Sequence, residues 1–127
     1  MVMGYREFSF EGLEVYQAAR LLVRDVYRLQ QKFPKTEIYA LGDQIRRSAS
    51  SVTSNIAEGS GRNANKEKVH FIEIAYGSLM EAFSQLQIAQ DLGYLTEQDI
   101  DTIRPQFISV AKMLSGLKKH FEGQKRL

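Results

Sequence analysis

The chain has 127 residues, with 17 Lys and Arg against 15 Asp and Glu, no Cys, no Trp and 43% hydrophobic residues. That is the size and balance of one soluble domain, able to bury roughly two thirds of its unfolded surface without a disulfide or structural metal. The missing cysteines exclude thiol nucleophiles, iron–sulfur clusters, thiolate zinc sites and disulfide scaffolds, and a formal net charge of +2 excludes a strongly basic tail.

Met1 to Phe10 contains no apolar signal core, and no run of about eighteen apolar residues occurs, so a cytoplasmic protein without a membrane segment is expected. One period, the helical one, governs the rest. Val15, Ala19, Leu22, Val26, Leu29 and Phe33 recur at steps of four and three and predict a first helix over about 10–33. Pro34 stops it, since proline inside a helix loses a hydrogen bond and clashes with the preceding turn. Thr36 is placed to cap a second helix over about 37–58, with Leu41, Ile45, Ala49, Val52 and Ile56 as its stripe. Gly59-Ser60-Gly61-Arg62-Asn63 reads as a connecting loop.

A third helix over about 65–92 carries Val69, Ile72, Tyr76, Leu79, Phe83 and Leu86, and Gly93 stands where a left-handed C-terminal cap belongs. Thr96 with Asp99 forms a variant capping box, and Leu95 with Ile100 a hydrophobic staple, before a fourth helix over about 97–122. Ile100, Ile103, Phe107, Val110, Leu114, Leu117 and Phe121 are its stripe, and Pro105 predicts a kink or a late start. Residues 1–127 therefore read as a single all-α domain, an antiparallel up-down-up-down four-helix bundle.

The second helix carries a pattern that a plain bundle does not need. Gln44, Arg47, Ser48, Ser51, Ser54, Asn55 and Glu58 make a polar, mostly small-residue band of mediocre helix formers. Such a band fits a solvated face, or a close helix–helix contact within a protomer or between protomers. With a loop centred near Gly61, residues on helices two and three meet where their numbers sum to roughly 122, which brings Arg46 or Arg47 to Ala75–Ser78 and Gln44 to Ser78–Glu81. Gln44, Arg47 and Glu81 are then expected to form a partly buried polar network that fixes register, with Gly77 giving room for close packing. Arg46 and Asn55 are left to face a neighbouring subunit or a ligand.

Charge is segregated along the chain. Segments 20–47 and 104–126 hold thirteen basic and four acidic residues, and the remainder holds four basic and eleven acidic. Arg20, Arg24, Arg28 and Lys32, four residues apart, form one basic stripe on helix one that suits a phosphate backbone, with Arg46 and Arg62 as further candidates. Lys118, Lys119, Lys125 and Arg126 form a second basic group. The stripe equally fits a solvated face, or pairing with an acidic third helix. Gly59-Ser60-Gly61-Arg62 fits an anion-binding nest or a plain helix end and turn, and the spacing of a nucleotide-binding P-loop is absent.

Enzyme chemistry finds little support. A di-iron bundle needs two Glu-x-x-His motifs, and only Glu67-Lys68-Val69-His70 occurs; Leu117 stands where a partner glutamate for His120 belongs. A two-histidine site of His70 and His120 with Glu73 or Glu122 is the metal alternative. No cofactor and no catalytic residue is expected.

Gln44-Ile45-Arg46-Arg47, Ser51, Ser54-Asn55-Ile56-Ala57-Glu58-Gly59, Arg62, Ala75, Gly77-Ser78-Leu79, Glu81 and Leu92-Gly93-Tyr94-Leu95 together resemble the 23S ribosomal RNA intervening-sequence protein family, also called the four-helix bundle protein family. Phe10-x-x-Leu13, Tyr16-Gln17, Phe33-Pro34 and Glu37-x-Tyr39-x-Leu41 fit the same pattern, and Thr53 stands where the family often has proline. The resemblance implies a homo-oligomer, typically a ring-like pentamer, with no established reaction. A distant likeness to the accessory variability determinant of diversity-generating retroelements, which works with a reverse transcriptase and its RNA template, implies a nucleic-acid partner. The resulting expectation is a non-enzymatic oligomer that binds RNA or DNA through basic helix faces; the alternative is a protein–protein scaffold or accessory subunit.

Overall fold

The computed structural model describes residues 8–123. A 3-10 turn, Ser9–Gly12, leads into α1 (Glu14–Gln30); a single helical turn, α2 (Lys35–Ile38), follows, and then α3 (Leu41–Ser60), α4 (Asn65–Asp91) and α5 (Glu97–Gly123). No strand occurs among the described residues. Four long helices therefore carry the fold, bundled around one apolar core.

Each long helix buries a stripe set by its spacing. Val15, Ala19, Leu22 and Val26 come from α1, Ile45, Ala49, Val52 and Ile56 from α3, and Ile100, Ile103, Phe107, Val110 and Leu114 from α5. The stripe of α4 is rotated from expectation: Ala75, Ala82 and Ala89 are buried beside Leu79 and Leu86, whereas Tyr76 is 39% exposed and Phe83 half-buried. Alanines seven residues apart let neighbouring backbones approach, so the larger rings are turned to the flank, where Phe83 meets Phe107 edge-on at 5.0 Å.

Helix ends show where sequence signals were sufficient. Gly93 adopts φ 82°, the left-handed cap, and the Tyr94 amide donates to the Ala89 carbonyl at 2.9 Å. The Thr96 amide donates to Asp99 Oδ2 at 2.9 Å while the Asp99 amide donates to Thr96 Oγ1 at 3.1 Å, a reciprocal capping box. Leu95 and Ile100 are both buried beneath it. Pro105 causes no late start, because α5 begins at Glu97; the proline and the Asp101 carbonyl that it leaves without a helical donor both lie on the exposed face.

Several ends differ from the spacing's expectation: α1 spans Glu14–Gln30 instead of about 10–33, a 3-10 turn taking its expected start and Lys32 and Phe33 falling past its end. Thr36 caps nothing: it lies inside α2, and Ala40, with φ −113° and ψ −101°, breaks the chain before α3 starts at Leu41. At the other end α3 continues through Gly59 and Ser60, and Gly61 has φ −82°, so the two glycines make neither a left-handed cap nor a nest. Gly59 is in the helix for a different reason: a β-carbon there would stand 2.9 Å from Phe71 Cβ on α4. This extension shifts the α3–α4 register. Gly59 meets Phe71, Ser51 meets Ser78 and Ser48 meets Gln85, so paired numbers sum to about 130 instead of about 122.

Candidate nucleic-acid interface

The basic stripe of α1 is exposed along its length. Arg20, Arg24, Arg28 and Lys32 all lie on the surface, and the arginine side chains at 24 and 28 remain 52% and 66% exposed. On α1, four-residue steps place the three arginine attachment points about 6 Å apart, and Lys32 follows two residues past the helix end. Val23 and Tyr27 form a second row on the side facing α3. With Gln31 and with Thr53 of α3, these rows line an open recess of about 510 Å³.

Acidic compensation is unequal along the stripe. Arg20 has no carboxylate partner among the described residues, and its guanidinium carbon lies 5.9 Å from the Tyr16 ring centroid. Arg24 and Arg28 share one carboxylate, Asp25, at 3.1 and 3.4 Å. Asp25 also accepts from Gln106 on α5 at 2.8 Å. Burial pushes the Asp25 carboxyl up, but the hydrogen bonds from Gln106 and Arg24 and the charges of Arg24 and Arg28 outweigh it and hold it below its ordinary value. Lys32 is paired with Asp99 of α5. There too desolvation is overcome, by the Lys32 hydrogen bond and two bonds from Thr96, and Asp99 is held low. The stripe thus does pair with acids, but with α1 and α5 rather than with α4, and its Arg20–Arg28 part keeps an excess of two positive charges.

Arg46 and Arg62 do not extend the stripe. The Arg46 side chain is only 18% exposed, because it donates to Gln30 Oε1 on α1 and, at 3.0 Å, to the Ile38 carbonyl of α2, with Asp43 at 3.5 Å. It pins the α2 turn to α1 and α3. Arg62 sits at the α3–α4 turn, paired with Glu58 at 2.7 Å and lying over the Phe71 ring at 4.8 Å, beside Lys66, Glu67 and His70.

The expected network of Gln44, Arg47 and Glu81 is not formed. Arg47 is 81% exposed and pairs with Asp43 on its own helix at 3.2 Å, and Gln44 is exposed. The shifted register instead buries Ser48 against Gln85: Ser48 Oγ donates to Gln85 Oε1 at 2.7 Å, and Gln85 Nε2 donates to Glu81 Oε2 at 3.3 Å. One turn along, Ser51 and Ser78 share a hydroxyl bond of 2.8 Å, and Asn55 Nδ2 donates to Ser51 Oγ at 3.0 Å. Gly77 has open space around it and does not serve close packing inside the protomer; Gly42 and Gly59 do, Gly42 against Gln30 and the Glu37 carbonyl. The signal for Gln85 in the sequence is its helical spacing, three residues after Ala82 and four before Ala89, on the face that carries the buried alanines.

The residues of the two-histidine alternative are not gathered into one cluster. No group of three His, Cys, Asp or Glu side chains able to hold a metal occurs among the described residues. Glu73 is taken by Lys118 at 3.0 Å, and that hydrogen bond holds the lysine above its usual range. His70 and His120 each lie edge-on to the next residue, Phe71 and Phe121. Lys125 and Arg126 lie outside the described residues.

An all-helical bundle whose most distinctive charged surface is an arginine-lined groove is the class that fold and site define. The chain belongs to the 23S rRNA-intervening sequence protein family, which matches residues 11–116. It is similar to the crystal structure of a protein of unknown function from the S23 ribosomal protein family of Bacteroides thetaiotaomicron VPI-5482, with a TM-score of 0.73 and 18% identity over 83% of this chain and 98% of that one. At that identity the likeness is one of fold. No curated protein matches the chain. No helix among the described residues is long and apolar enough to cross a membrane.

Proposed function

We propose that this protein is a non-enzymatic homo-oligomer, a ring of antiparallel four-helix protomers and most simply a pentamer, that binds RNA or DNA through the groove between α1 and α3. The observation that carries the reading is the exposed row of Arg20, Arg24 and Arg28 with Asp25 as its only carboxylate among the described residues. Pairs of exposed opposite charges contribute little to folding, so three arginines gathered over one acid serve stability poorly and an anion well. A ring of copies would multiply the row.

Binding of labelled RNA and DNA oligonucleotides over a range of salt tests this. Three phosphates neutralised per protomer give a slope of log K against log salt of about −2 for a single strand. The triple substitution Arg20→Glu, Arg24→Glu and Arg28→Glu should remove binding and slope together, while helix content stays unchanged. Wild-type protein without salt-sensitive binding would end the proposal.

The scaffold reading rests on a different observation. Ile74, Met80 and Ile88 of α4, Leu92 just past its end and Ile108 of α5 are each more than a third exposed. Apolar surface of this kind marks protein contacts. In the favoured reading it is where protomers meet.

A further inference from the structure

We infer that the α1–α3 groove takes single-stranded nucleic acid, with a base stacked on Tyr27 and the backbone running along Arg20, Arg24 and Arg28; this rests on the nucleic-acid reading above. Tyr27 is 41% exposed and lines the recess between the arginine row and Thr53 of α3. Its ring has no aromatic or cationic partner among the described residues. Tyr16, one turn before Arg20 on the same helix, is by contrast already engaged, edge-on to Phe10 at 4.8 Å and with Arg20 over its face. An exposed ring without a partner, beside guanidinium groups of which Arg20 lacks any acid, is the combination used to hold unpaired bases: the cations track phosphates and the aromatic face accepts any base.

Geometry favours a strand over a duplex. The phosphates of an extended strand can follow the straight row of about 6 Å steps that an α-helical face presents, whereas duplex strands wind away from it. Tyr27 also sits inside the furrow behind the arginines, where a duplex, with its bases already stacked, has no ring face to offer. The recess of about 510 Å³ lies within the range of about 300–1,000 Å³ typical of sites that take in small ligands, so it can admit a base.

The protein has no tryptophan, so Tyr27→Trp places a unique reporter in the groove. The full chain is titrated with a mixed-sequence single-stranded oligonucleotide, its blunt duplex, an abasic strand of equal length and an oligoglutamate peptide of equal charge. Quenching of the introduced indole by the single strand, tighter binding of that strand than of the duplex or the abasic strand, and retention of binding by Tyr27→Phe are expected. Tyr27→Ala should weaken single-strand binding about 5- to 150-fold without changing the salt slope. Equal binding of the abasic strand or duplex, an unquenched indole and a neutral Tyr27→Ala would overturn stacking while leaving the basic row in place, provided that the triple arginine reversal still abolishes binding. Displacement by oligoglutamate at equal charge would make the groove a site for acidic protein segments and overturn the inference. Absence of salt-sensitive binding to every probe would overturn both readings.

Discussion

At the scale of single residues, the two glycines of α3 that touch neighbours and the one of α4 that does not make opposite predictions. In an exposed helix interior, Gly→Ala gains roughly 1 kcal/mol of helix propensity. At Gly59 the added β-carbon would stand 2.9 Å from Phe71 Cβ, an atom close to the backbone and unable to swing aside. Overpacking of that kind costs about 1–3 kcal/mol, so against the propensity gain Gly59→Ala should be net destabilising by up to about 2 kcal/mol, measured by urea unfolding. Asp25 and Asp99 give a pH dependence. Both carboxyls are held below their unfolded value, so their contribution is present above that value and is lost as pH falls through the folded one. Unfolding midpoints should therefore fall between about pH 5 and pH 3, and should fall less in Asp25→Asn and Asp99→Asn proteins. A midpoint that is flat over that range would show that neither carboxylate is coupled to folding.

At the scale of elements, the four helices were legible because apolar spacing and end signals agreed. Thr96, Asp99, Leu95 and Gly93 all act locally, within one turn, and the chain carries their whole logic. The α1–α3 junction was not legible. Its shape depends on Arg46 reaching Gln30 and the Ile38 carbonyl and on Gly42 approaching Gln30, contacts between residues that no periodicity relates. The polar network was half legible: the band on α3 was visible, but a loop four residues too early mated it with the wrong part of α4. Glycine was read as a helix end, whereas at Gly59 it permits a close crossing. For the site itself, the arginine row followed from four-residue spacing, while its acid partners on α5 did not.

The corrected network can be tested as a unit. Replacing Gln85 by alanine removes one of two acceptors of the buried Ser48 hydroxyl, which falls back on the Ile45 carbonyl at 3.1 Å, and should cost about 0.5–1.5 kcal/mol, the net value of one hydrogen bond. Ser48→Ala should cost more, about 1–3 kcal/mol, because it leaves Gln85 Oε1 without its donor in a buried interface, the bond to Glu81 being made by Nε2. The double variant should fall short of the sum by about 0.5–3 kcal/mol in a double-mutant cycle, the signature of direct coupling. Additive effects would mean that α3–α4 register is held by the apolar core alone. Glu81→Arg should leave Arg47 untouched, since Asp43 already holds it.

At the scale of the whole molecule, α4 is a helix with apolar residues on two faces. A helix in a solvated bundle has one apolar stripe and a polar back, yet α4 exposes Ile74 and Ile88 on the face opposite its core. His70, Ile74, Gly77, Glu81, Ser84 and Ile88 recur there at steps of four and three, a second seam with a glycine at its centre. Gly77 has nothing within 4 Å inside the protomer, and a glycine in mid-helix costs stability unless its bareness is used. The homo-oligomer proposed above, assembled through this seam, would account for both facts. Ile74→Glu with Ile88→Glu should shift the protein from oligomer to protomer in light scattering behind size exclusion, with helical circular dichroism unchanged. Gly77→Ala separates the terms further: within a protomer it should gain roughly 1 kcal/mol, whereas in a tight seam the methyl group should weaken association. Under dilution, its oligomer should therefore dissociate at higher concentration than wild type while its isolated protomer melts later. An alanine variant that is more stable and equally associated would move the subunit contact away from α4, towards Met80 and Ile108 at the α4–α5 edge.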